Sequence, residues 1–160
     1  MKLTASEWLD RAEVKFELYG QAKGSPVYLT MGQQLIGTYA DLEHYRARDG
    51  AANGNAWHQG WQAHHIVEEH DLGRLHIKHL APSRDDQLCV LLPERAHIGR
   101  INSILRSVAP LRDIVSPEYL LRSYKEAYDL IDDYSGGGQV LIKRELVSIV
   151  HATFRAYQLI

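Results

Sequence analysis

One stretch, "WQAHHIVEEH" at residues 61–70, constrains the fold more tightly than the rest of the chain. It reads as a strand, and it sets His64 directly beside His65. Adjacent side chains on an extended strand point to opposite faces, so a single core-packing role cannot serve both imidazoles. At least one of them is read as having a chemical task. The second strand candidate is "LCVLL", 88–92, after which Pro93 opens a helix with Ile98, Ile101, Leu105 and Val108 on its apolar face. The middle of the chain thus reads strand, long loop, strand, helix.

Helical patterns flank this middle. "TASE" at 4–7 is a capping-box sequence, and Trp8, Leu9, Ala12, Phe16 and Tyr19 recur at helical spacing, predicting a helix that stops near Gly20 to Gly24. After "GSP" a second helical pattern places Leu35, Ile36, Tyr39 and Leu42 on one face and ends in the loop residues "RARDGAANGNAW". Ser116 and Pro117 fit the N-cap and first position of a helix with Leu120, Leu121, Tyr124, Tyr128 and Ile131 inward. "SGGGQ" breaks the chain before a last helix in which Ile142, Leu146, Ile149 and Tyr157 share a face.

A chain of 160 residues suits one domain and should bury on the order of 70% of its unfolded surface. With 45% hydrophobic and 24% charged residues it has ordinary globular composition. No apolar run is long enough for a membrane span, and the start lacks an export signal of the usual kind. The lone Cys89 excludes an internal disulfide and a cysteine-built zinc knuckle, and reads as a reduced, buried thiol. The formal net charge of −2 argues against coating nucleic acid through an overall positive field. Residues 63–112, however, hold six of the nine histidines and seven of the eighteen Lys and Arg. A polyanion would therefore be met locally, near the histidines.

"AHHIVE" at 63–68 followed by "LLPERAHIGRI" at 91–101 resembles the HNH and endonuclease VII superfamily, in particular its AHH-type bacterial toxin nucleases. The resemblance covers residues 61–106. It implies a small ββα-metal core at about 61–108, and with the helical flanks read above at 4–48 and 116–159 the chain is expected to be an α+β fold, a mainly helical single domain over 1–160. It also implies a metal-dependent endonuclease that hydrolyses DNA phosphodiester bonds. As a toxin it would be held in the producer's cytoplasm by a cognate immunity protein and delivered to a target cell's cytoplasm.

By the same resemblance His64 takes the metal role and His65 the general base role. Imidazole suits a base, being mostly neutral at pH 7. His97, in the first turn of the predicted helix, would close the metal site. Arg95 and Arg100 would position phosphates, and Glu68 could orient a histidine through its second ring nitrogen. The sequence departs from the family at two points. Where many members carry an asparagine before the second strand it has "SRDDQ", so that Asp86 or Gln87 would have to substitute, and the family's second helical histidine is replaced by Ile101. Two protein ligands leave several waters on a metal, which suits Mg²⁺ ahead of Zn²⁺, Mn²⁺ or Ni²⁺. Two alternatives stay open: a metal-independent RNase using the histidine pair as acid and base, and a non-catalytic ββα-derived binding module. His44 and His151 read as ordinary helix-face residues, and His58, His70, His76 and His79 as solvated.

Overall fold

The computed structural model describes residues 2–19, 26–49, 61–93, 115–129 and 139–160. Helix α1 (Ala5–Arg11) begins with the expected capping box between Thr4 and Glu7. It ends earlier than the periodicity suggests. Glu13 adopts the left-handed conformation at φ 58°, and the Val14 and Glu13 amides close back on the Leu9 and Asp10 carbonyls. That is a Schellman stop, reinforced by apolar Leu9 and Val14, both buried in one core cluster. Phe16 and Tyr19, counted on the helix by spacing, therefore lie beyond it, Phe16 in strand β1 (Phe16–Leu18).

A second correction concerns residues 26–38. The expected helix is instead a hairpin of β2 (Tyr28–Thr30) and β3 (Leu35–Thr38), and only Tyr39–His44 is α-helical, as α2, continued by a wider π turn over Tyr45–Asp49. The apolar spacing was ambiguous: Leu35 and Ile36 are strand neighbours that enter opposite cores, and Tyr39 and Leu42 belong to the helix that follows. The hairpin turn is fixed by Gln33 at φ 65° and by Gly32, whose amide donates to the Glu145 carboxylate at 2.9 Å. A Cβ at Gly32 would fall 2.7 Å from Glu145 Oε2 and 2.8 Å from Ile142, so the turn can touch the last helix only as glycine.

Strands β4 (Trp61–His65) and β5 (Leu88–Pro93) fall where the sequence placed them and pair antiparallel, except that Pro93, expected to open a helix, ends β5 opposite Trp61. The difference is that they do not stand alone. β5 also pairs with β3, giving a five-stranded antiparallel sheet in the order β1-β2-β3-β5-β4. The α+β class holds, whereas the flank at 4–48 is half sheet. Between β4 and β5 the loop carries a short helix α3 (Glu69–Arg74) and a 3₁₀ turn at Arg84–Asp86.

Both faces of the sheet are covered. On one face Ile36, Val90 and Leu92 meet α1, α4 (Pro117–Tyr128) and α5 (Gln139–Ala156), through Leu9, Leu120, Tyr124, Ile142, Leu146, Ile149 and Phe154. On the other, Leu35, Cys89 and Leu91 meet Leu42 and Tyr45 of α2 and its π turn. Ser116 caps α4 by accepting the Tyr119 amide, with Pro117 at the first helical position, as expected. Cys89 is a free, fully buried thiol. Among the described residues no helix is long and apolar enough to cross a membrane. The helix expected after Pro93, with His97, Arg95, Arg100 and Arg106, lies outside the described residues, as does His58.

Candidate functional site

The register of β4 on β5 sets His64 opposite Val90 and His65 opposite Cys89. Since Val90 and Cys89 belong to different cores, the two imidazoles leave the sheet on opposite faces, as strand alternation requires. His65 is half-buried on the α2 side. Its Nε2–H donates to the Arg84 carbonyl at 3.1 Å, and its ring stacks on Tyr39 with centroids 5.1 Å apart and planes 16° apart. The Arg84 guanidinium lies 4.7 Å from the Tyr39 centroid, and the Tyr39 amide donates to the Gln87 carbonyl at 3.0 Å. Tyr39 and the 84–87 segment are thus tied together and hold His65 from two directions.

A carbonyl can only accept, so the proton of neutral His65 sits on Nε2 and the lone pair on Nδ1. Burial lowers the His65 pKa below its ordinary value. The Arg84 carbonyl bond and the charges of Glu69 and Asp85 oppose that effect, and the Arg84 charge adds to it. The orientation of the His65 Nε2 edge is thus set by main chain. Asp86 contributes indirectly: its carboxylate accepts from Ser83 Oγ at 3.1 Å and its amide donates to the Ser83 carbonyl at 2.9 Å, stiffening the turn that presents the Arg84 carbonyl. Gln87 is buried, and its side-chain amide donates to the Pro82 carbonyl.

His64 faces α4. Tyr128 donates its hydroxyl proton to the Ile66 carbonyl, so the 3.3 Å contact between His64 Nε2 and the Tyr128 oxygen has the imidazole as donor. The lone pair is again left on Nδ1. Burial, with the neighbouring His65 charge adding to it, lowers the His64 pKa to about 4, which keeps it neutral in ordinary buffers. Tyr124 completes a second arm of the same cluster. It accepts the Glu68 amide at 2.8 Å and donates to Asp71, itself 3.7 Å from Arg74. The tyrosines are core residues, as their spacing implied, but each hydroxyl is fully used.

Glu68 is therefore fixed through its backbone at the start of α3, and its charge bears on Tyr124 and Tyr128. The carboxylates that act on His65 are Glu69 and Asp85. His70, His76 and His79 are exposed. His44 and His151 are half-buried, with His44 against Arg48 at 3.1 Å. Sequence reasoning missed Tyr39 as a partner of His65 and Tyr128 as a partner of His64. For Tyr128 the available signal was tyrosine where phenylalanine would have packed as well, because a buried phenol needs a partner for its hydroxyl; the stacking of Tyr39 on His65 left no such signal.

His64 is neutral, with one ring nitrogen already donating, and it is buried. Among the described residues no group of three His, Cys, Asp or Glu side chains comes together in a metal-binding arrangement. Comparison of the chain with protein-family models, curated proteins and solved structures returns no match.

Proposed function

We propose that the protein is a metal-dependent endonuclease of the HNH type, cleaving DNA phosphodiester bonds as a bacterial toxin restrained by an immunity protein. The observation that carries this reading is the different setting of the two histidines. His65 is neutral, has one nitrogen anchored on a carbonyl, and is reachable from solvent. Its Nδ1 is a base poised to take a proton from water as the water oxygen bonds to phosphorus and the ester P–O bond breaks. His64 and His97 would hold the divalent ion, Mg²⁺ by preference, which supplies charge neutralisation at the phosphate and leaving oxygen. Arg84 is exposed beside His65, and Arg95 and Arg100 follow β5 in sequence; together they would supply phosphate contacts.

The metal-independent RNase reading is less well supported. An acid–base pair needs one protonated imidazole, yet burial drives both pKa values down. Digestion of plasmid DNA and of RNA, with and without EDTA, separates the readings. DNA cleavage abolished by EDTA is expected. EDTA-resistant RNA cleavage would favour the RNase, and no cleavage of either would favour the binding module. Because the His65 pKa is lowered, the acid limb of the rate profile should fall below pH 6.5, and a limb above 7 would remove His65 from the role of base.

A further inference from the structure

The hydrogen bond from His65 Nε2 to the Arg84 carbonyl settles which ring nitrogen carries the proton, but it leaves one freedom of the imidazole open. The torsion about a histidine Cβ–Cγ bond has a broad well. Nε2 lies close to the axis of that rotation and Nδ1 lies well off it, so a bond at Nε2 restrains the tilt of the ring weakly while the Nδ1 lone pair swings with it. A flat partner stops the swing. The Tyr39 ring lies 5.1 Å from the His65 ring, centroid to centroid, with 16° between the planes. Tilting the imidazole would drive one edge into the phenol ring and lift the other away.

The surface that Tyr39 offers is itself held in place. Tyr39 is the first residue of α2, whose start is capped by Thr38 accepting the Asp41 amide, and its side chain packs against the core of Leu42, Tyr45, Cys89 and Leu91. Its main-chain amide, and not its side chain, ties it to the Gln87 carbonyl and so to the turn that presents the Arg84 carbonyl. Exchanging the side chain therefore removes the stacking surface and keeps the main-chain anchor. We propose that Tyr39 is a positioning residue whose aromatic face fixes the plane of His65 and so aims Nδ1 at the attacking water; the inference rests on the proposed base role of His65. Misplacing a reacting group by about 1 Å can cost on the order of 100-fold in rate, so the loss falls on kcat. KM moves little, because Arg84, 4.7 Å from the Tyr39 centroid, keeps its charge and its place in the chain.

The test compares Tyr39→Leu with Tyr39→Phe in the full chain at about pH 8, where imidazole is neutral. For plasmid cleavage with Mg²⁺, Tyr39→Leu is expected to lower kcat about 10-fold or more with KM within about threefold, and the conservative Tyr39→Phe to bring kcat back to within about threefold of wild type. ¹⁵N NMR of the histidine rings reads the orientation directly. His65 should be a pure Nε2–H tautomer in wild type and in Tyr39→Phe, and should exchange between tautomers in Tyr39→Leu once the ring can swing away from the carbonyl. If Tyr39→Leu does not fold, Tyr39→Met replaces it, since an unbranched thioether fills irregular gaps. Unchanged kcat in Tyr39→Leu, a loss that Tyr39→Phe does not restore, or an unchanged tautomer would overturn the proposal and leave the endonuclease reading standing. No cleavage by wild type would remove that reading instead, and the tautomer comparison would still decide whether Tyr39 orients the ring.

Discussion

His64 and His65 are chemically identical and consecutive, yet the two sides of β4 make different groups of them. On the α4 side the imidazole is sealed against Tyr128, with its pKa driven down to about 4. On the α2 side it is half open, layered on Tyr39 and hung from a main-chain carbonyl. The difference comes from what the adjoining helices bring to each face of the sheet. A doubled residue in a strand thus specifies two environments, one sealed and one half open.

The largest effect is expected on cleavage. His65→Ala should reduce DNA cleavage at least 100-fold, the lower range for a positioned base, while Mg²⁺ affinity measured by calorimetry stays near wild type. His64→Ala should lose metal binding together with activity. Equal metal loss in both variants would show that the two faces do not divide the work.

Next comes acid stability. The unfolded chain takes up a proton at an ordinary histidine value of about 6.5, whereas folded His64 resists until about 4. Folding is therefore fully supported above pH 6.5 and loses roughly 3 kcal/mol as pH falls from there to about 4. Denaturant melts across that range measure it, and replacing His64 with Gln should flatten the profile. An unchanged profile would mean that His64 is not the sealed partner.

Tyr128→Phe sharpens the same side. It strands the Ile66 carbonyl and the His64 Nε2–H, for an expected cost of about 1–3 kcal/mol in denaturant unfolding. The smallest effect belongs to the open face. If Arg84 contacts one phosphate, Arg84→Ala should make the log–log salt dependence of DNA binding shallower by about 1, on an expected total near −3, as read by fluorescence anisotropy with Ca²⁺ in place of Mg²⁺.

The two faces were legible to different degrees. Strand pairing at 61–65 and 88–93 and the capped helix at Ser116 follow from local patterns of alternation and capping, and they stand as read. The hairpin at 28–38 was hidden because its apolar residues also fit a helix. Helix ends were hidden for another reason. Glu13, His76 and Gln158 take the left-handed stop position of α1, α3 and α5 without being glycine. Each stop is backed by an apolar pair five residues apart, Leu9 with Val14, Leu72 with Ile77 and Phe154 with Leu159, gathered at one core. That pairing was present in the sequence, and tertiary burial gives it the strength to override the missing glycine. The partners of the histidines were less accessible still, since Tyr39 and Tyr128 lie 26 and 64 residues from the rings they meet.

The carbonyl that holds His65 belongs to position 84 but not to the arginine side chain there. Any residue able to adopt the same turn would present that oxygen equally well. Side-chain scanning along 82–87 would therefore pass over the group that selects the tautomer of His65. The vulnerable property is the length of the segment between α3 and β5, and one inserted or deleted residue there should disable the imidazole when no single substitution does.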